Sequence, residues 1–350
     1  MIRVLELQGT PRQVGRQYGE ACREGFHAFH EVVRERAAEN PRWTEDVDMM
    51  GQAIESYHPR YYAELGGMAE GANLSLDDIL LHHRRLLLAE FCCSNVAFLT
   101  AAGASGGPIF GKNLDGSGGD PDHPEKQFVA RHVTYDNGQE VVHTTIVGDL
   151  MSRDTGMNLR SGLVFGGSSV GSVFQKSLHH PTLEAGLYEM ICACDTAEEA
   201  IRFLQRYPYI GKGYNFVLVD AQGQGFVLEC ACPLVQVRPP QPGQDAIFCT
   251  NHYQLPILKD ADRRKPLGMR YSQKRAAFLQ QRLFVEPVPR TVEAMKGLLS
   301  AHGEGQGLCR PIDDGDPSLT WMSVVALPAE RRFEVADGRP CEVSYTQIAP

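Results

Sequence analysis

Long apolar runs are missing from this sequence, as are the usual patterns of metal binding and secretion. No stretch approaches the ~20 consecutive apolar residues that a membrane-spanning helix needs. There is no HxH or HExxH arrangement to hold a hydrolytic metal. Nor is there the CxxC spacing typical of structural zinc, since Cys192-Ala193-Cys194 and Cys230-Ala231-Cys232 are CxC pairs. Ten cysteines in 350 residues are too sparse for a disulfide scaffold, and most are expected to be buried thiols acting as small hydrophobes. Positive charge is in deficit, with a formal net charge of −9, which argues against the basic face that nucleic acid requires. Glu6 stands where a signal peptide would carry its apolar region, so the expected compartment is the cytoplasm. Internal repeats and low-complexity tracts are absent too. What is present, 43% hydrophobic and 22% charged residues, is the balance of a globular chain large enough for one big domain or two ordinary ones.

Residues from 11 to about 90 read as helical. Pro11 suits a first turn, and Val14, Tyr18, Cys22, Phe26 and Phe29 recur at helical spacing. A second segment runs through Tyr61, Leu65 and Met68. A third runs from Leu76 through Ile79 and Leu80 to Leu88, capped by Asn73 or Ser75, with Asp77 and Asp78 in its first turn. The run His82-His83-Arg84-Arg85 reads as a solvated helix face. From Ser94 the pattern turns to short strands: 96–100, 108–111, 128–135, 141–147, 216–219, 226–229, 247–249, 322–327 and 333–336. Gly103-Ala104-Ser105-Gly106-Gly107 and Asp136-Asn137-Gly138 break them, the latter a hairpin turn. Helices are expected at 183–194, 197–206, 268–284 and 291–300, with Thr196 and Glu199 as a capping box. Pro239-Pro240-Gln241-Pro242-Gly243 reads as a surface loop. Strands in blocks with paired helices between them predict an α+β layered domain.

Cys93 stands where the helical region gives way to strand. Buried structural cysteine is the ordinary reading of such a residue. The chemical reading is that cleavage just before Cys93 would give it both a thiol and an α-amine. An α-amine titrates near ~7.7–8.0 and a thiol near ~8.5, so the amine can take the thiol proton at neutral pH without a histidine.

Further motifs give the chemical reading its weight. Glu90-Phe91-Cys92-Cys93-Ser94-Asn95 and Gly111-Lys112-Asn113-Leu114-Asp115 resemble the Cys-(Thr/Ser)-Ser and Gly-x-Asn-x-Asp pair of the penicillin acyltransferase family. That family is a cysteine branch of the N-terminal-nucleophile hydrolases, similar to choloylglycine hydrolases and acid ceramidase. Gly213 to Asp220 with Glu229, Cys249-Thr250-Asn251-His252, and Gly9-Thr10-Pro11 through Gly15-Arg16-Gln17-Tyr18-Gly19 match further stretches in the family's order, over some 250 residues.

The resemblance implies a four-layer αββα sandwich, made as a precursor that cuts itself before the nucleophile. Residues 1–92 would form a helical amino-terminal segment and 93–350 the catalytic domain, the two staying associated after the cut. It implies Cys93 as nucleophile, Asp115 facing the new α-amine, and Asn251 donating to an oxyanion with a backbone amide near Ser169. Arg263 would polarise a carbonyl or hold a substrate carboxylate, and Lys112 takes the place of an arginine in bile-salt hydrolases. Asp115 in Asp115-Gly116, Asn251 before Pro256 and Arg263 among Lys259, Arg264 and Lys265 also have plain readings, as turn, cap and solvated charge. No metal or organic cofactor is required. The substrate would be a small amide or acyl compound, with the basic loop 259–265 suited to the phosphates of acyl-coenzyme A. Water or an amine would accept the acyl group, and the sequence does not separate hydrolase from acyltransferase. Two alternatives stand beside this reading. A cut before Cys92 would make that residue the nucleophile, although Cys93-Ser94 fits the family order better. Glu90-Phe91-Cys92 in place of the small glycine common there fits a non-catalytic binding protein that keeps the fold.

Overall fold

The computed structural model describes residues 2–39, 42–86, 92–100, 106–117, 126–149, 155–172, 179–302, 307–311 and 318–349. Glu90, Phe91, Leu88 and the glycine-rich break from Gly103 to Ser105 lie outside them.

The chain opens with a strand that the sequence reading did not anticipate, β1 (Arg3–Gly9), in which Leu5 and Leu7 turn inward and Val4 and Glu6 outward. Thr10 then starts α1 (Pro11–Ala21): its hydroxyl accepts from Gln13 N and the Gln13 side chain accepts from Thr10 N, with Pro11 in the first turn. Four more helices follow, α2 (Arg23–Ala38), α3 (Arg42–Tyr57), α4 (Pro59–Ala72) and α5 (Leu76–Leu86). The spacing of Gly15 and Gly19 acquires a purpose here. A Cβ on Gly15 would lie 2.0 Å from Glu64 O, and one on Gly67 would lie 1.9 Å from Arg12 O, so only glycine lets α1 and α4 approach so closely. Asn73, with φ of 58°, ends α4, and Ser75 caps α5 by accepting from Asp78 N.

The strands form two sheets. The first is eight-stranded, in the order β1, β4 (Phe128–Tyr135), β5 (Glu140–Ile146), β6 (Thr155–Asn158), β7 (Val164–Ser169), β8 (Tyr214–Val219), β9 (Gly225–Ala231), β10 (Leu234–Arg238). The second is six-stranded: β11 (Ala246–Cys249), β2 (Cys92–Phe98), β3 (Ile109–Ser117), β12 (Ser318–Leu327), β13 (Arg332–Ala336), β14 (Thr346–Ala349). Helices α1, α3, α4, α5, α6 (Leu183–Ala193) and α7 (Ala197–Gln205) share a core with the outer face of the eight-stranded sheet. A second core lies between the sheets, joining Phe110, Leu114 and Val324 to Ala130, Val164 and Val217. A third packs α8 (Pro266–Gln280) and α9 (Val292–Ser300) on the outer face of the six-stranded sheet. The architecture is therefore the expected α+β four-layer αββα sandwich. Pro239–Gly243 sits in the exposed connection that carries the chain from β10 in one sheet to β11 in the other.

The segment before β2 is built into this body. β1 pairs in parallel with β4, and Glu64 on α4 forms an ion pair at 2.5 Å with Arg131 on β4, both side chains fully buried. Tyr135 and Tyr188 also donate to Glu64, each at 2.7 Å. One expectation fails in this layer: His82 and His83 are buried, not solvated. His82 Nδ1 meets Gly148 O at 2.9 Å, and His83 Nε2 meets the Tyr61 hydroxyl at 3.0 Å. Polar partners on neighbouring elements satisfy these rings, so their polarity does not force them outward. The side chains of Arg84 and Arg85 lie outside the described residues. Among the described residues no helix is long and apolar enough to cross a membrane.

Candidate active site

Three strand ends converge on Cys93. β2 and β3 are antiparallel, with Cys93 opposite Leu114 and Cys92 opposite Asp115. Residues directly opposite share a face, so the two adjacent cysteines point to different sides of the sheet. Cys93 faces the eight-stranded sheet with Leu114, and Lys112 lies on the same face opposite Asn95. Cys92 faces the helices with Asp115. On the other side of β2, β11 pairs Cys249 with Asn95, which carries Asn251 to the end of β2.

Asn251 is fully buried and its amide is fully oriented by its neighbours. Its Oδ1 accepts from the Cys93 backbone N at 2.8 Å and from Arg275 Nη2 at 2.8 Å. Its Nδ2 donates to Ser169 O at 3.0 Å, and its own backbone N donates to Ser272 Oγ at 2.8 Å. Arg275 reaches the other end of the same residue: Nη1 donates to Cys93 O at 2.6 Å and to Ser94 Oγ at 2.7 Å. A further chain runs from Asn95 Nδ2 to Ser168 Oγ (2.7 Å) and from that hydroxyl to Cys93 O (3.2 Å). Both polar backbone atoms of Cys93 are thus held by buried side chains from three other elements.

Burial and the positive charge of Arg310 lower the Arg275 guanidinium to about 10, which keeps it protonated at neutral pH. Asp115 is fully buried, and desolvation raises its pKa against the opposing pull of Arg310 and Arg275. Thr320 Oγ1 donates to Asp115 Oδ1 at 2.7 Å, whereas Oδ2 has no hydrogen-bond partner among the described residues. Arg264 closes this side, donating through Nη2 to Cys92 Sγ at 3.0 Å and through Nη1 to Ser169 O at 3.2 Å. Among the described residues, Arg275, Arg310 and Arg264 outnumber the carboxylates of Asp115 and Asp262, which leaves positive charge suited to a thiolate, an oxyanion or a substrate carboxylate. His252 beside it meets Ser272 Oγ at 2.7 Å, and burial together with Arg275 and Arg264 lowers it to about 4, so it is neutral. A cleft of about 360 Å³ is bordered by His252, which follows Asn251 in the chain, and by Lys259, Asp262 and Gln273.

Residues 102–315 match the model of a protein family described as acyl-coenzyme A:6-aminopenicillanic acid acyl-transferase, a span of well over half the chain. The chain belongs to that family. The family is one of N-terminal-nucleophile hydrolases, whose members act on small-molecule amide or acyl substrates. The matched span takes in Lys112, Asp115, Ser169, Asn251, Arg264, Arg275 and Arg310, and starts just after Cys92-Cys93. Similar solved structures include an N-acylethanolamine-hydrolyzing acid amidase ortholog from Caenorhabditis elegans, at 16% identity and a TM-score of 0.45, covering 68% of this chain and 93% of that one. Penicillin V acylase from Agrobacterium tumefaciens is similar at 14% identity and a TM-score of 0.47, covering 69% and 82%. A mutant of the conjugated bile acid hydrolase from Clostridium perfringens is similar at 13% and 0.40, covering 73% and 96%. No curated protein sequence matches the chain.

Within this acyl-transferase family member, the residues singled out from sequence meet unequally. Cys93, Asn251 and Ser169 are joined by hydrogen bonds, although Ser169 contributes its carbonyl oxygen and not the expected amide. Asp115 faces the Cys92 side of the hairpin, and the Cys93 nitrogen is held by Asn251 instead. Arg263 is exposed, and Arg264 is the arginine at the site. Asp262 Oδ1 accepts from Arg264 N at 2.9 Å in the turn, and alternate side chains there point to opposite sides. Arg275, Ser272, Arg310 and Ser168 were not anticipated. The i, i+3 spacing of Ser272 and Arg275 on α8 was their one visible signal.

Proposed function

We propose that this chain is a cysteine amidase or acyltransferase of the N-terminal-nucleophile type, synthesised as a precursor that cuts itself between Cys92 and Cys93. The observation that carries this reading is the convergence of Asn251 and Arg275 on the two backbone polar atoms of one residue, Cys93, at the mouth of a strand. Residues 1–92 and 93–350 are then the two pieces of the mature protein.

In the maturation step the Cys93 thiol loses its proton and attacks the carbonyl carbon of Cys92. The carbon–nitrogen bond breaks, the Cys93 nitrogen gains a proton, and a thioester to Cys92 forms. Water cleaves the thioester, returning the thiol and leaving a carboxylate on Cys92. Once the peptide is cut, the α-amine at the start of β2 turns from Asn251 Oδ1 towards Asp115 on the neighbouring strand, whose Oδ2 has no hydrogen-bond partner among the described residues and accepts the ammonium. In turnover the amine takes the thiol proton as sulfur attacks the substrate carbonyl. Asn251 Nδ2 turns from Ser169 O to the developing oxyanion. The amine returns its proton to the leaving group. The acyl-cysteine passes its acyl group to water or to an amine. Arg264, relieved of Cys92, takes the role expected of Arg263 and holds a substrate carbonyl or carboxylate. Lys259, Arg263 and Lys265, all exposed beside the cleft, would meet the phosphates of an acyl-coenzyme A donor.

Intact-mass measurement on freshly purified protein tests the reading. Two fragments meeting between residues 92 and 93 support it, and a single stable chain with full amidase activity removes the α-amine from the mechanism. A second reading is favoured by one observation: Arg264 donates to the Cys92 thiol. A heavy fragment beginning at Cys92 would transfer the nucleophile to that residue.

A further inference from the structure

Away from the active-site pocket, on the far side of the segment that carries Arg310, three potential metal ligands gather. His302 follows the end of α9, Cys309 lies in the connection to β12, and Cys341 lies in the turn before β14. One ligand atom from each lies within 4.8 Å of the other two, and the two sulfurs are 3.5 Å apart. We propose that His302, Cys309 and Cys341 bind one zinc ion, which clamps the carboxy-terminal strand to the wall behind Asp115.

The spacing supports a metal over a disulfide. Zinc at ~2.3 Å from thiolate sulfur in tetrahedral geometry puts its ligand atoms about 3.8 Å apart, close to the separation of the two sulfurs, whereas a disulfide needs ~2.05 Å. The imidazole nitrogen lies within 4.8 Å of both sulfurs, and His302, an exposed residue at a helix end, can turn to close any remaining gap. Two sulfurs and an imidazole select a thiophilic ion over magnesium or calcium. Cys341 and His302 are exposed, so water can fill the fourth position.

The site is built before any ion arrives. Cys309 N donates to Ala301 O at 3.0 Å, and Gly307 N donates to His302 O at 2.9 Å, folding the loop back on itself. A Cβ on Gly307 would lie 2.1 Å from Ala301 O and 2.4 Å from His302 C, so glycine alone permits this turn. Arg339 borders both sulfurs and is paired with Glu342 at 2.5 Å, which moderates the cation next to the ion.

The position gives the ion a role. Leu308 O, one residue before Cys309, accepts from Asn113 Nδ2 at 3.0 Å. Arg310, one residue after it, donates through its backbone N to Thr320 Oγ1 at 2.9 Å, and Thr320 in turn holds Asp115. Fixing Cys309 therefore fixes two contacts through which this segment supports β3.

The test uses the full chain, purified under reducing conditions, stripped with a chelator and titrated with zinc against a chromophoric competitor. One saturable zinc per chain is expected, together with thiolate-to-cobalt charge-transfer absorption when cobalt replaces it. Affinity should fall at least about tenfold in Cys341→Ser and in His302→Ala, both exposed positions whose exchange leaves the fold intact. Zinc should raise the melting temperature of the wild type and not of either variant. The proposal is overturned by an absence of saturable zinc binding. Equal affinity in wild type and both variants overturns it too, as does a Cys309–Cys341 disulfide in a parallel preparation isolated without reductant.

Discussion

The backbone N–H of Cys93 donates to Asn251 Oδ1 at 2.8 Å, across 158 residues of chain. The same oxygen accepts from Arg275, so one side-chain amide ties the start of β2 to the end of β11 and to α8. Its opposite end, Nδ2, carries the donors that an oxyanion needs. Asn251→Ala should fold, because its neighbours Thr250 and Ser272 keep their own contacts. It should slow both self-cleavage and turnover by on the order of a hundred- to a thousandfold. Turnover within a factor of about two of wild type, measured at saturating substrate, would remove Asn251 from the chemistry.

Arg275 makes three charge-assisted hydrogen bonds, to Cys93 O, Ser94 Oγ and Asn251 Oδ1. Arg275→Lys keeps the charge but loses the fork. Losing one such bond costs about 2 kcal/mol, or roughly thirtyfold in the rate of self-cleavage. The rate of fragment appearance on denaturing gels checks this, and an unchanged rate shows that charge alone suffices.

The cut should fall between Cys92 and Cys93. Cys93→Ala should give one uncut, inactive chain, whereas Cys92→Ala, whose side chain is on the other face, should still cut. Amino-terminal sequencing of the heavy fragment reads the boundary directly. Cutting in the Cys93→Ala variant would show that the thiol is not the attacking group.

After cleavage the two pieces should co-elute on size exclusion, because β1 stays paired with β4 and Glu64 stays buried against Arg131. Removing Glu64 strands a buried cation, at a cost of about 3–5 kcal/mol. Urea unfolding of Cys93→Ala with and without Glu64→Ala isolates that effect from processing. A difference under about 1 kcal/mol would mean that Arg131 finds another partner.

Acid should weaken the fold through buried histidine. Burial lowers His58 to about 4, and His252 likewise to about 4. The unfolded chain takes up protons below about 6.5, and the folded chain refuses them until about 4, so stability falls through that window and is unaffected above it. His58 is stacked on Tyr209 (5.9 Å) and Phe203 (6.2 Å), so His58→Phe should fit. That variant should lose roughly 2–3 kcal/mol less than wild type between pH 7 and pH 4. Parallel denaturation curves at the two pH values measure it, and equal losses would place the titration elsewhere.

Strand and helix order was readable because side-chain period follows backbone geometry: two in β4, near four in α1. The five motifs in order were enough to name the family and, through it, the candidate residues Cys93, Asp115 and Asn251. Three things were decided only by the tertiary structure. The hairpin register put Cys92 and not Cys93 opposite Asp115, because pairing is set by both strands at once. The turn at Asp262 sent Arg264 inward and left Arg263 outside, a choice that two adjacent arginines cannot reveal in sequence. Docking of α8 singled out Arg275 over Arg270 and Lys274, since burial against β2 depends on where the helix lands and not on its own composition. His82, buried by partners 52 and 66 residues away, was misread for the same reason. Local pattern fixes which residues form an element, but the partners that satisfy a buried charge come from distant chain.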